Sequence, residues 1–213
     1  YAEHRRLQQP EPLTRNQSIM KIVLLTLWLL VPLGFAAWHY GPGQEHLERD
    51  DARTLIEKAE TSVAEKDYTE AIKNWSEAIG KLPDDETHLS RRLELEIAKA
   101  KMLDKKLPEA REELAELMIR LDEDPDSDQA LRDETRSALA NSRYYMTYLM
   151  KLEGLPDADW EPEIEAARQE YKLLAETATD SNLAKISADD LESAIRLARM
   201  DPAELYGLPI PNQ

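Results

Sequence analysis

Residues 52–85 read ARTLIEKAETSVAEKDYTEAIKNWSEAIGKLPDD. Ala52, Leu55, Ile56, Ala59 and Val63 fall at i, i+3, i+4, i+7 and i+11, one apolar stripe along a helix. Ala71, Ile72, Trp75, Ala78, Ile79 and Leu82 make a second stripe, which Pro83-Asp84-Asp85 ends. Only Glu65-Lys66-Asp67 separates the two. So short a break predicts an antiparallel helix pair. Ala59 and Ala71 let two backbones approach, and Trp75 is placed to fill the gap toward a following hairpin.

This unit resembles a tetratricopeptide repeat, a 34-residue helix–turn–helix. The resemblance rests on Ala59, the turn Lys66-Asp67-Tyr68, Ala71, Trp75, Ala78 and Pro83. Lys58 and Ser62 depart from the Leu and Tyr usual in the family. The resemblance implies an inner face lined by the first helix of each unit. On this unit that face holds Arg53, Ile56, Glu60 and Val63, as partner-binding candidates.

Downstream the pattern weakens but persists. Leu89, Leu93, Ile97 and Ala100, widened by Leu95, Ala98 and Met102, form the next stripe. Ala110, Leu114, Leu117, Met118 and Leu121 form its partner. Ala71 to Ala110 is an offset of 39, so the first helix of this unit is extended. A long helix is expected from about Asp128 to Leu152, burying Leu131, Ala138, Tyr145, Leu149 and Leu152. Gly154 and Pro156 stop it, and Asp159 is expected to cap a helix carrying Ile164, Ala167, Tyr171, Leu174 and Ala178. Ser187 with Asp190 reads as a capping box opening a last amphipathic helix. That helix would cover the stack, and Asp201-Pro202 would start one further turn.

Upstream, residues 22–40 read IVLLTLWLLVPLGFAAWHY, without a charged side chain. At about 1.5 Å per residue such a helix approaches the thickness of a bilayer's hydrocarbon core. A retained signal anchor is preferred to a cleaved signal starting at Met20, because a polar tail of 20 residues precedes the apolar run. Trp38 and Tyr40 suit a membrane interface. Residues 1–40 carry +2 and the remainder −18, and the basic residues favour a cytoplasmic tail with the large domain outside.

The expected fold is therefore all-α. A polar tail (1–21), a transmembrane helix (22–40) and a linker (41–50) precede an acidic domain (51–200). That domain is an α-solenoid of about three tetratricopeptide-like hairpins and a capping helix, followed by an extended tail (201–213).

The chain has no cysteine, which excludes disulfides and thiolate chemistry. Its acidity disfavours nucleic-acid partners. Six glycines leave no phosphate-cradling loop, and the four histidines are scattered. No cofactor, catalytic residue, metal ligand or small-molecule substrate is evident. Asp122, Asp124, Asp126, Asp128 and Asp133 match a calcium-loop spacing, but Ser127 stands where the sharp turn needs Gly. An acidic inter-helix loop is the preferred reading. Tyr144 and Tyr148, four apart, are core residues or a partner-binding patch.

The expected function is a non-enzymatic, membrane-anchored scaffold or adaptor that binds other proteins. The alternative is a permanent structural subunit of a larger membrane complex, with a calcium-binding or enzymatic domain as the weaker rival. The chain is also similar to bacterial inner-membrane ancillary proteins with one N-terminal span and an outward repeat domain. Those assist assembly or translocation of envelope proteins, which implies a single-pass inner-membrane protein with a periplasmic domain.

Overall fold

The structure is a computed structural model. It describes residues 14–39 and 42–205, with side chains at 20–21, 23–35, 49–201 and 204–205. Every regular element among the described residues is a helix. They run α1 (Thr14–His39), α2 (Pro42–Ala64), α3 (Tyr68–Ile79), α4 (Thr87–Leu103), α5 (Leu107–Glu123), α6 (Gln129–Leu152), α7 (Asp157–Thr177), α8 (Ser181–Arg199) and α9 (Pro202–Leu205). The chain divides into two units, residues 1–47 and 48–213.

In the second unit each helix from α3 to α8 packs on its chain neighbour. The stripes read from the sequence become three apolar clusters along the stack. The first joins Ala52 and Ala59 to Ala71, Trp75, Leu93 and Ile97. Ala59 and Ala71 have no exposed surface and Trp75 reaches α4, as the spacing requires. The second surrounds Leu95, Leu114, Leu117 and Leu121, and the third Trp160, Ile164, Tyr171 and Leu205. This is the arrangement of stacked helical hairpins, in which each unit completes its neighbour's core.

The hairpin turns share one geometry. Lys66 and Lys105 both have φ 63° and Gly154 has φ 76°, each just past the first helix of a pair. In each turn a backbone N–H bonds five residues back: Asp67 to Ser62 at 2.8 Å, Lys106 to Lys101 at 2.9 Å and Leu155 to Met150 at 2.9 Å. This is the Schellman ending, which normally takes glycine at the left-handed position. Two lysines bear that strain here, and only Gly154 avoids it. Aspartates then start the following helices in places. Asp67 accepts from the Glu70 N–H at 3.1 Å, and Asp128 from that of Ala130 at 3.0 Å.

Several expectations are corrected. The linker at 41–50 is helical from Pro42. Proline needs no N–H at a first helical position, and Gln44, Glu45, Leu47 and Glu48 favour helix. Asp50 and Asp51 therefore lie inside α2, and Asp51 pairs with Lys81 at 3.1 Å. Pro156, not Asp159, precedes α7. Helix α8 starts at Ser181, capped by Asp180, and Ser187 is buried in its interior. Leu149 is exposed and Leu152 half-buried; the buried positions at that end of α6 are Tyr148 and Lys151 instead.

The expected span needs its own statement. Among the described residues no helix is long and apolar enough to cross a membrane. The described side chains of α1 run unbroken only from Val23 to Phe35. The Ile22 and Trp38 side chains and Tyr40 lie outside what is described, as do 1–13 and the tail beyond 205.

Replacing Lys66 or Lys105 by glycine should raise unfolding stability by about 1 kcal/mol each, less the glycine's greater chain entropy. Denaturant titration reads this; a loss at both sites would mean that the turns are not left-handed. Trp75→Ala should cost about 3–5 kcal/mol by leaving a cavity between two hairpins.

Candidate protein-binding face

First helices of successive pairs meet directly: α4 touches α6, and α6 touches α8. They form one continuous face, the one the repeat resemblance assigns to partners. On α2, Arg53 and Glu60 are exposed, whereas Ile56 and Val63 are half-buried against the Trp75 cluster. Arg53 lies 3.9 Å from Asp50, an exposed pairing of little strength.

The α4–α6 seam is closed by charge. Glu134 of α6 accepts from Arg92 and Lys99 of α4, and Lys99 also holds Glu96 at 3.2 Å. Burial would raise the Glu134 carboxyl, but Lys99 and Arg92 outweigh it and hold the group below its ordinary range. Stability from this pair is therefore present above the unfolded-state value and is lost as pH falls.

At the α6–α8 seam the tyrosines divide. Tyr148 is only 4% exposed and belongs to the third cluster, so it presents nothing to a partner. That corrects the patch reading: the position faces the following hairpin. Tyr144 is half-buried and touches both the second and third clusters. Burial pushes its phenol up, and pushes Tyr145 up to about 12. Tyr171 donates to Asn141 Oδ1 at 2.7 Å, which satisfies a hydroxyl otherwise enclosed. Asp190 of α8 lies within electrostatic reach of Tyr144 and Tyr171. Burial first, and then the neighbouring Asp189 charge, raise its carboxyl above the ordinary range. Asp190 reads in the sequence as a capping residue; in the fold its carboxyl is raised by tertiary burial.

The calcium-loop spacing does not assemble. Asp122 sits in α5 and pairs with Arg136 at 3.2 Å. Asp124 accepts from Arg91, which together with the Asp126 N–H lowers its carboxyl. Asp128 caps α6. Asp133 is buried in α6, accepting from Gln129 at 2.7 Å and the Thr179 N–H at 3.2 Å. Missing the glycine, the segment spends its carboxylates on caps and cross-helix ties. Among the described residues no group of three or more His, Asp or Glu could hold a metal ion.

One buried cation went unseen in the sequence. Lys151 ends α6 with its ammonium 3.8 Å from the Trp160 ring centre and donating to the Ala198 carbonyl at 3.4 Å. Burial lowers its pKa, against the opposing pull of Asp157, Asp201 and Glu161. It ties the last turn of α8 to the third hairpin. In sequence it resembles any solvent lysine near a helix end.

No family model, curated protein or solved structure matches this chain. The repeat resemblance thus stands on the residues quoted for it.

An aspartate raised in the folded state favours its protonated form there. Its effect on stability is full below the unfolded-state pKa and is lost as pH rises through the folded value. Asp190→Asn should therefore raise Tm at pH 7, with the gain vanishing near pH about 3. A lower Tm at pH 7 would show that the carboxylate is used.

Proposed function

We propose that this protein is a non-enzymatic, membrane-anchored, tetratricopeptide-like adaptor whose helical stack binds other proteins. The observation that carries the reading is the surface of α1. Val23, Leu24, Leu25, Leu27, Leu29, Leu30, Val31 and Leu33 are all more than half exposed, with Trp28 at 76% and Phe35 at 74%. They cover every side of the helix. A helix apolar all round belongs in a core or a bilayer, and water would leave this area unsatisfied. The uncharged run 22–40 supports a single span, and the basic residues before it support a cytoplasmic tail. The acidic stack then stands on the outer side, as in the inner-membrane ancillary proteins it resembles.

The stack supports the adaptor half of the reading. Its side chains are spent on packing and on pairing charge between helices, which gives a rigid surface. Arg53 and Glu60 are the exposed polar pair on its first helix.

Carbonate washing of membranes from expressing bacteria should leave the full chain in the pellet. A chain lacking residues 1–40 should become soluble. Protease added to intact spheroplasts should digest the acidic unit. Release by carbonate would end the anchor reading, and digestion only after lysis would end the orientation. Cross-linking in native membranes tests the adaptor: recovery only as free chain would defeat it.

A further inference from the structure

The two sides of the stack are sealed differently. First helices touch along α4, α6 and α8. Among second helices, α5 and α7 are bridged through arginines: Arg111 of α5 lies 3.4 Å from Glu163 of α7, and Arg136 of α6 joins Asp122 at 3.2 Å to Glu170 at 2.8 Å. Among the described residues, no ion pair or hydrogen bond joins α3 to α5. A groove runs there, over α4.

Two cavities of about 290 and 320 Å³ occupy this groove and share Glu94 and Arg120 in their walls. The groove follows α4 from Glu86 to Lys101, about 22 Å at helical rise. Its floor is apolar: Ile72, Ile79 and Leu82 are half-buried there beside buried Ile97. The charges around it are unequal. Its cations, Arg91, Lys101 and Arg120, already hold Asp124, Glu113 and Glu94. Asp84 and Glu116, one on each cavity, are exposed carboxylates with no cation paired to them among the described residues. The groove thus offers an apolar floor about four helical turns long with surplus negative charge at its rim.

From this we infer that the α3–α4–α5 groove seats a basic amphipathic helix of a partner protein. The partner's apolar side lies on Ile72, Ile79 and Leu82, and its lysines or arginines meet Asp84 and Glu116. Charge complementarity selects a basic partner, because the remainder after residue 40 carries −18. Helix-in-groove binding of this kind reads anchors at i, i+3, i+4 and i+7. The inference shares the adaptor reading but uses the opposite side of the stack from Arg53 and Glu60.

The test uses the full chain in discs of zwitterionic lipid and a labelled 15-residue leucine–lysine amphipathic peptide, with empty discs subtracted. Fluorescence anisotropy should show saturable binding. The pair Asp84→Lys with Glu116→Lys should weaken it at least tenfold, and so should Ile72→Glu. The charge-matched pair Glu57→Lys with Glu176→Lys, both exposed and outside the groove, should change it less than twofold. A leucine–glutamate peptide should not bind. Circular dichroism checks that each variant is folded; Asp84 and Glu116 are exposed, so that pair tests the site even if Ile72→Glu unfolds. Equal loss from both charge pairs, no binding, or equal binding of the acidic peptide would overturn the proposal. So would a chain dimer that Ile72→Glu dissociates, since a second copy would then own the groove. Intact peptide binding with failed native cross-linking would defeat the adaptor reading alone.

Discussion

Close approach to α6 is the constraint on which the helical stack depends. This helix meets α4, α5, α7, α8 and α9, more neighbours than any other described helix has. Bulky side chains on every side would hold those neighbours apart. Its buried positions instead include Ala138, Ala140, Thr135, Ser142 and Thr147. Each buried hydroxyl is satisfied within its own helix, Thr135 at the Leu131 carbonyl, Ser142 at that of Leu139 and Thr147 at that of Arg143. These three hydroxyls thus make no demand on neighbouring helices, and the backbones can close up beside them. Arg136 and Arg143 at the edge of this helix bind carboxylates of α7, so charge ties begin where the small residues end.

This arrangement separates two kinds of surface. One side of the stack is sealed by direct contact and by pairs such as Glu134 with Arg92 and Lys99. The other is sealed only in its second half, leaving an apolar floor between α3 and α5. Surface charge contributes little to stability pair by pair. Its larger effect here is on recognition, through which few carboxylates are left over and where they stand.

The hairpins were legible because their information is local. Apolar spacing placed α3 to α7 closely, and the alanine–tryptophan pattern anticipated the first cluster. Boundaries failed where two chemically equivalent starts competed. Asp180 and Ser187 both offer an oxygen to a helix start; Asp180 is the one used, accepting from the Asn182 N–H, while Ser187 is buried in the helix interior. Pro42 misled in the opposite sense, since the same residue breaks one helix and begins another. The tyrosine pair failed on geometry: residues four apart share a helix side, but the neighbours of that side come from residues 160 to 205. Surplus charge at a groove needs all pairings to be known, and sequence does not supply them.

Trp75 and Trp160 sit in different clusters, at opposite ends of the stack, with the Leu114 cluster between them. They are the only tryptophans after residue 40. Each is therefore an optical reporter of its own end, and Trp160 is distinguished by the Lys151 ammonium over its ring. In a chain of nearest-neighbour units, loss of one end need not carry the other. Emission followed through unfolding would then resolve into two transitions, whereas a stack bound into one unit by α6 would give a single coincident step.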